Sequence, residues 1–207
     1  MIPINILSKM GIYELKLNPR LKVVKAIVID SAALIDSNIT ELRSLLQKPV
    51  VGFDVKFDTD HDDQNKKRIA KLLLLYVDCR CLIIQLHSLA SIPDGLKQFL
   101  ADEAICFVGT GIENKVTSLQ RYGLSCVTAV EVGDFAARVL KKPNISSFGI
   151  TDLATEVGLP LVRVPGLPER TPDWSASVFT EAEVKYTILE ARGGYLIGSM
   201  LLGKLNL

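Results

Sequence analysis

Ile105-Cys106-Phe107-Val108 is a short run with no polar residue in it, set between helical segments. A run this short is a strand rather than a helix, and a strand with no polar side chain must be covered on both faces. That requirement calls for a sheet with helices packed on either side. The rest of the chain supplies the parts. Tyr13–Leu17 and Val23–Ile29 read as two opening strands joined by a turn at Asn18-Pro19. Val50–Phe57 reads as a buried strand, and Ile69–Val77 with Cys81–Leu86 as a hairpin about Asp78-Cys79-Arg80. Val127–Val130 is a further short strand.

Helices are expected over Thr40–Leu46, with Thr40 as N-cap, and over Pro93–Leu100, with Pro in the first turn. Others are expected over Glu113–Arg121 (stopped by Gly123), over Val132–Leu140, and over Ser147–Val157, capped by Ser146 or Ser147 and stopped at Gly158. The last helix opens with Thr180-Glu181-Ala182-Glu183, a capping box, and runs to about Leu202. Four prolines between Leu159 and Pro172 mark an ordered or gating loop too short to link domains. Strands first, then strands mixed with helices, make one α/β domain with a mixed sheet over residues 1–207, the strands within 1–48 belonging to it.

Charge and composition narrow the function classes. The formal net charge is +1, so no global field draws the chain to nucleic acid or an acidic membrane; a nucleic-acid partner would need a local basic patch. Candidates are Lys66, Lys67, Arg68 and Lys71, beside the acidic Asp60, Asp62 and Asp63, and also Lys141-Lys142. The longest apolar run, Leu72–Val77, is far below the roughly 20 residues of a membrane span, and Met1–Asn5 shows no basic region leading into an apolar stretch. Cys79, Cys81, Cys106 and Cys126 offer no metal-hook spacing and no His pair to complete one; they read as reduced, partly buried thiols of a cytoplasmic or nuclear protein.

Three segments carry the chemistry. Val51-Gly52-Phe53-Asp54-Val55-Lys56 ends a strand in Asp-x-Lys, and alternation puts Asp54 and Lys56 on one sheet face. Val108-Gly109-Thr110-Gly111-Ile112-Glu113-Asn114-Lys115 leads a strand into a helix. Tyr186-Thr187-Ile188-Leu189-Glu190 sets Tyr186 and Glu190 one helical turn apart, on a shared face. In order and spacing these segments, with Cys81–Leu86 and Trp174 onward, resemble the DnaQ-like (DEDD) 3′–5′ exonucleases. The likeness is greatest to plant Werner-exonuclease-like proteins, a group that includes the RISC-interacting clearing exoribonucleases.

The resemblance implies a ribonuclease H-like fold, a mixed sheet flanked by helices. It also implies a two-metal site. Such a site holds two Mg²⁺ ions about 4 Å apart, one activating water and one steadying the leaving oxygen. Mg²⁺ takes hard oxygen ligands, and four carboxylates offset two dications. The family's roles would fall on positions 54, 56, 115, 186 and 190, where this chain has Asp54, Lys56, Lys115, Tyr186 and Glu190. Lys stands at the second and third carboxylate positions, and Glu replaces Asp at the fourth. Two carboxylates and two ammoniums are neutral without metal, and an ammonium of Lys56 or Lys115 can take the place of a metal ion.

The expected protein is therefore a catalytically impaired exonuclease-fold protein that needs no cofactor. It would act as a nucleic-acid-binding or assembly partner, on single-stranded RNA or DNA, or in homo- or hetero-oligomers with active homologues. The alternative is a weakly active enzyme using Mg²⁺ or Mn²⁺ held by Asp54, Glu190 and either Glu113 or Asp152. His61 and His87 do not occupy the position where a histidine variant of the family places its base. If the likeness were of fold alone, Asp54, Tyr186 and Glu190 would lie far apart.

Overall fold

The computed structural model describes residues 11–19, 21–59, 68–159 and 164–205. Among them, seven strands form one sheet: β1 (Ile12–Leu15), β2 (Val24–Ile29), β3 (Val50–Thr59), β4 (Arg68–Val77), β5 (Arg80–Gln85), β6 (Cys106–Gly109) and β7 (Ala129–Glu131). Six α-helices accompany them: α1 (Ala32–Ser44), α2 (Asp94–Leu100), α3 (Ile112–Leu119), α4 (Val132–Leu140), α5 (Ile150–Glu156) and α6 (Glu181–Leu205).

The sheet order is β1-β2-β5-β4-β3-β6-β7. β3, β4 and β5 form an antiparallel meander, β6 and β7 continue it in parallel beside β3, and β2 runs parallel to β5 with β1 antiparallel outside it. The β4–β5 hairpin turns on Asp78 and Cys79; Asp78 has φ 51°, left-handed backbone that Asp tolerates better than most residues.

Helices cover both faces, as the apolar β6 demands. On one side Phe53, Leu73, Leu75 and Phe107 pack with Ile35 and Leu42 of α1 and Phe99 of α2; Phe107 meets Phe53 and Phe99 edge-on, with centroids 6.3 and 5.6 Å apart. Such pairs contribute about 1 kcal/mol each beyond their burial. On the other side α6 runs across β3, β4 and β6. Its first half packs with Leu72, Leu74, Tyr76, Trp174 and Phe179, and its second with Val50, Val108, α4 and α5.

Glycine lets α6 come close. A Cβ on Gly52 would lie 1.9 Å from the Ala191 carbonyl oxygen, and one on Gly194 would lie 2.4 Å from that of Val108. A helical Gly costs about 1 kcal/mol against Ala, so the approach is gained at the expense of helix propensity. The helix starts as the capping box predicts: Thr180 N–H donates to Glu183 Oε2 (2.7 Å), and Glu183 N–H donates to Thr180 Oγ1 (3.3 Å).

Some boundaries differ from expectation. The first helix begins at Ala32, so Thr40 lies inside it and donates from Oγ1 to the Asp36 carbonyl (2.9 Å) instead of capping. Buried Ile35 and Ile39 supply the tertiary packing that extends it towards the N-terminus. Pro93 is the N-cap of α2 rather than its first residue. Residues 143–145 form a 3₁₀ turn, and α5 starts only after Gly149, so neither Ser146 nor Ser147 caps it. Of the proline-rich segment, Val164 is buried and Leu167 packs beside it against the α6-side core; Pro160 lies outside the described residues.

Candidate functional site

Asp54 lies on the α6-facing side of β3, where the close approach of that helix leaves its side chain 1% exposed. A buried carboxylate needs charge-bearing partners, and it has two. Lys56, two residues along the same face, brings Nζ to 2.7 Å from Asp54 Oδ2. That contact lacks hydrogen-bond alignment, so the pair is held by charge rather than direction. Lys115, in the second turn of α3, brings Nζ to 2.6 Å from Oδ1, which also accepts the Val55 N–H at 2.9 Å.

Lys115 does more than pair with Asp54. Its Nζ is 3.5 Å from Glu190 Oε2 and donates to Thr110 Oγ1 at 3.4 Å, while Thr110 Oγ1 donates to the same Glu190 oxygen at 2.9 Å. One ammonium thus joins β3, the β6–α3 turn and α6. Both lysine side chains are nearly buried (13% and 11% exposed), whereas Glu190 is half exposed at the rim. Partial burial is the largest influence on Glu190 and pushes its pKa up. The charges of Lys56 and Lys115 and the bonds from Thr110 and Lys115 outweigh it, holding the carboxyl below the ordinary Glu value.

Tyr186 shares the helix face with Glu190 but stands outside the ion cluster. Its ring stacks on Trp174, with centroids 6.2 Å apart, and Lys56 also approaches Trp174, its Nζ 5.9 Å from the indole centroid. The segment carrying Trp174 is strapped to the sheet. Ser175 Oγ donates to Asp58 (3.0 Å), Gln85 Nε2 donates to the Ala176 carbonyl (2.8 Å), and Tyr13 OH donates to that of Phe179 (2.7 Å). Trp174, 3% exposed, therefore covers Lys56.

Thr110 and Trp174 are the members that motif reading alone did not single out. Thr110 could be found from its place in Gly109-Thr110-Gly111 between strand and helix, and Trp174 as the chain's single Trp, twelve residues before Tyr186. Glu131 is another: its Oε2 accepts the Ile112 N–H (3.0 Å) at the start of α3, the helix that presents Lys115.

The basic candidates divide. Lys66, Lys67 and His61 lie outside the described residues. Arg68 opens β4 and lies over the Phe57 ring at 5.0 Å; Lys71 falls where the β3–β4 register shifts, the extra residue of a bulge. Both stand on the β3–β4 ladder beyond Lys56. Lys142 pairs with Glu156 (2.7 Å), away from the ion cluster. His87 sits exposed in a turn after β5. The thiols are free, and burial raises Cys126 to about 12.

The residues matched by the 3′–5′ exonuclease family model run from 36 to 205. The chain belongs to the 3′–5′ exonuclease family. It is 27% identical over 150 residues to the bifunctional 3′–5′ exonuclease/ATP-dependent helicase WRN of Mus musculus, covering 72% of this chain and 10% of that protein's length. It is also similar to crystal structures of the EXD2 exonuclease domain. One has TM-score 0.52 and 25% identity, covering 87% of this chain and 94% of that one. Another, soaked in Mn, has TM-score 0.51 and 26% identity, with 86% and 89% covered. The fold is the ribonuclease H-like one, with β5-β4-β3-β6-β7 as its sheet and β1-β2 added beyond β5.

A pair of dications does not fit this donor set. Both oxygens of Asp54 face ammonium groups, and the Glu190 oxygen nearest them is shared with Lys115 and Thr110. Glu113 and Asp152, invoked for a one-metal alternative, are exposed. Among the described residues no group of three His, Cys, Asp or Glu side chains is placed to hold a metal ion.

Proposed function

We propose that this chain is a pseudo-exonuclease: a 3′–5′ exonuclease-family domain that cannot assemble the two-metal centre and works by binding. The observation that carries this reading is the Lys115 ammonium, 2.6 Å from Asp54 and 3.5 Å from Glu190, with Lys56 on the remaining Asp54 oxygen. Bringing a dication within roughly 5 Å of two ammoniums costs several kcal/mol at an effective dielectric of about 20. The cluster is already neutral, so its two carboxylates at most balance that repulsion and leave no net attraction to offset stripping water from the dication.

The binding role is that of an assembly or regulatory partner in RNA processing, in the cytoplasm or nucleus, together with active homologues of the plant Werner-exonuclease-like kind. A subunit of this type placed in an oligomer with active ones would tune trimming of single-stranded RNA or DNA without cutting it. The near-neutral charge of the chain favours protein contacts over tight nonspecific binding of nucleic acid.

The test is calorimetric titration of Mn²⁺ and Mg²⁺ into the purified protein, with a labelled single-stranded RNA degradation assay alongside. No heat of metal binding and no shortening are expected. Stepwise 3′ shortening that needs metal and disappears in Asp54→Asn would overturn the proposal and establish a weak exonuclease.

A further inference from the structure

The position of Lys115 has a chemical consequence of its own. Its Nζ is surrounded by three oxygens on three elements: Asp54 Oδ1 at 2.6 Å, Thr110 Oγ1 at 3.4 Å and Glu190 Oε2 at 3.5 Å. These separations suit an ammonium with its N–H donors spread over several acceptors. They are too long for Mg²⁺, which requires oxygens at about 2.1 Å.

We infer that Lys115 is a tethered counter-ion filling a primary-ammonium site, so that cutting the side chain back leaves a site selective for a small alkylammonium ion over a divalent metal. This rests on the pseudo-exonuclease reading only in taking Asp54 and Glu190 as partners of lysine rather than of metal. Replacing Lys115 by Ala removes the three remaining stem carbons and the amine, which together have the composition of propylammonium. The carboxylates stay in place, because Asp54 is fixed in β3 and still paired with Lys56, and Glu190 is still held by Thr110. Lys56 also makes the vacated site hostile to a second positive charge on a dication, while a monovalent ion restores the original balance. Half-exposed Glu190 at the rim gives the ion its route in.

The experiment is thermal unfolding of the full chain, followed by Trp174 fluorescence and circular dichroism. The proteins are wild type, Lys115→Ala, Lys115→Met and Lys115→Ala/Glu190→Gln. The probes are propylammonium chloride, tetramethylammonium chloride at equal ionic strength, and MnCl₂. Lys115→Ala is expected to lose on the order of 10 °C in Tm, since it leaves a buried carboxylate short of a partner. Propylammonium should recover at least half of that loss in a saturable manner. Tetramethylammonium has no N–H to donate and should recover none, and Mn²⁺ less than propylammonium.

Lys115→Met keeps the stem and fills the space, so it should lose stability and show no rescue. Glu190→Gln in the Ala background should remove most of the rescue. An equal rise in the wild type, no propylammonium-specific rise, or a larger rise with Mn²⁺ each overturns the inference. If Lys115→Ala does not fold on its own, refolding is read instead. Native Trp174 emission recovered in propylammonium but not in tetramethylammonium supports the site; recovery in neither, with Lys115→Met folded, refutes it. Metal-dependent RNA cleavage by the wild type that survives Asp54→Asn would overturn the proposed function alone, because the rescue is read on stability; metal binding lost in Asp54→Asn would overturn both.

Discussion

Replacing Asp54 by Asn removes one charge and almost nothing else. Asn keeps the shape and an oxygen for the Val55 N–H, but it leaves the ammoniums of Lys56 and Lys115 facing a neutral amide. Each ammonium lies within 2.7 Å of the same carboxylate, so the two are close to each other as well. At roughly 6 Å and an effective dielectric of about 20 their mutual repulsion is about 3 kcal/mol; it is present in the wild type too, and the substitution removes the carboxylate whose attraction outweighs it. Removing one partner from a buried ion pair costs about 3–5 kcal/mol in general, and that is the loss expected here. With a urea m-value of about 2 kcal/mol/M, the midpoint should fall by roughly 2 M at unchanged slope.

The assay is equilibrium urea unfolding by Trp174 fluorescence and circular dichroism together. A companion variant, Asp54→Leu/Lys56→Met/Lys115→Met, replaces the buried part of the cluster by apolar groups, leaving half-exposed Glu190 to solvent and Thr110, and should recover most of the loss, because buried ion pairs add little over well-packed hydrophobic side chains. A midpoint for Asp54→Asn within about 0.3 M of wild type would refute the reasoning, for it would mean that water already screens the cluster and that the burial of Asp54 carries no electrostatic weight.

Three further outcomes are expected. Lys56→Glu with Lys115→Asp supplies carboxylates where the ammoniums stand, and calorimetry should detect Mn²⁺ binding absent from the wild type; no gain would mean that the backbone no longer holds a metal geometry. Glu190 has its pKa held below the ordinary 4.5, so it contributes stability above that value and loses it as pH falls through the lower folded value. Wild type should therefore lose more urea resistance between about pH 5 and pH 3 than Glu190→Gln, and parallel losses in the two would remove the argument. Gly52→Ala places a methyl 1.9 Å from the Ala191 carbonyl and should cost about 3 kcal/mol or more in thermal unfolding by driving α6 off β3.

Periodicity made the central strands and α6 legible, because β3 to β6 are apolar throughout or on one face and the α6 capping box is a local signal read in Thr180 and Glu183. It failed where packing decided. The start of α1 has a local signal in its N-cap Ser31, which motif reading passes over for Thr40; Ser31 makes no side-chain capping bond, and the helix depends on Ile35 and Ile39 meeting the sheet. Strand alternation put Asp54 and Lys56 on one face, whereas Lys115 and Glu190 were assigned to the same place only by the resemblance to the exonuclease family, because no local relation links those three segments. The hydroxyl of Thr110 and the indole of Trp174 join through turn geometry and a long-range strap, which a linear pattern does not encode.

The pair β1-β2 lies wholly before residue 36, where the match to the exonuclease family begins. A fragment cut at that family boundary would begin inside α1 and uncover the flank of β5, leaving main-chain groups that now pair with Lys25–Ile29 open to any passing strand. It would also strip Tyr13, Leu15, Val24 and Ala26 from the core under α6, with the Tyr13 anchor of the Trp174 strap. Recombinant versions trimmed to the family footprint should self-associate through β5, and those that keep the first strands should not.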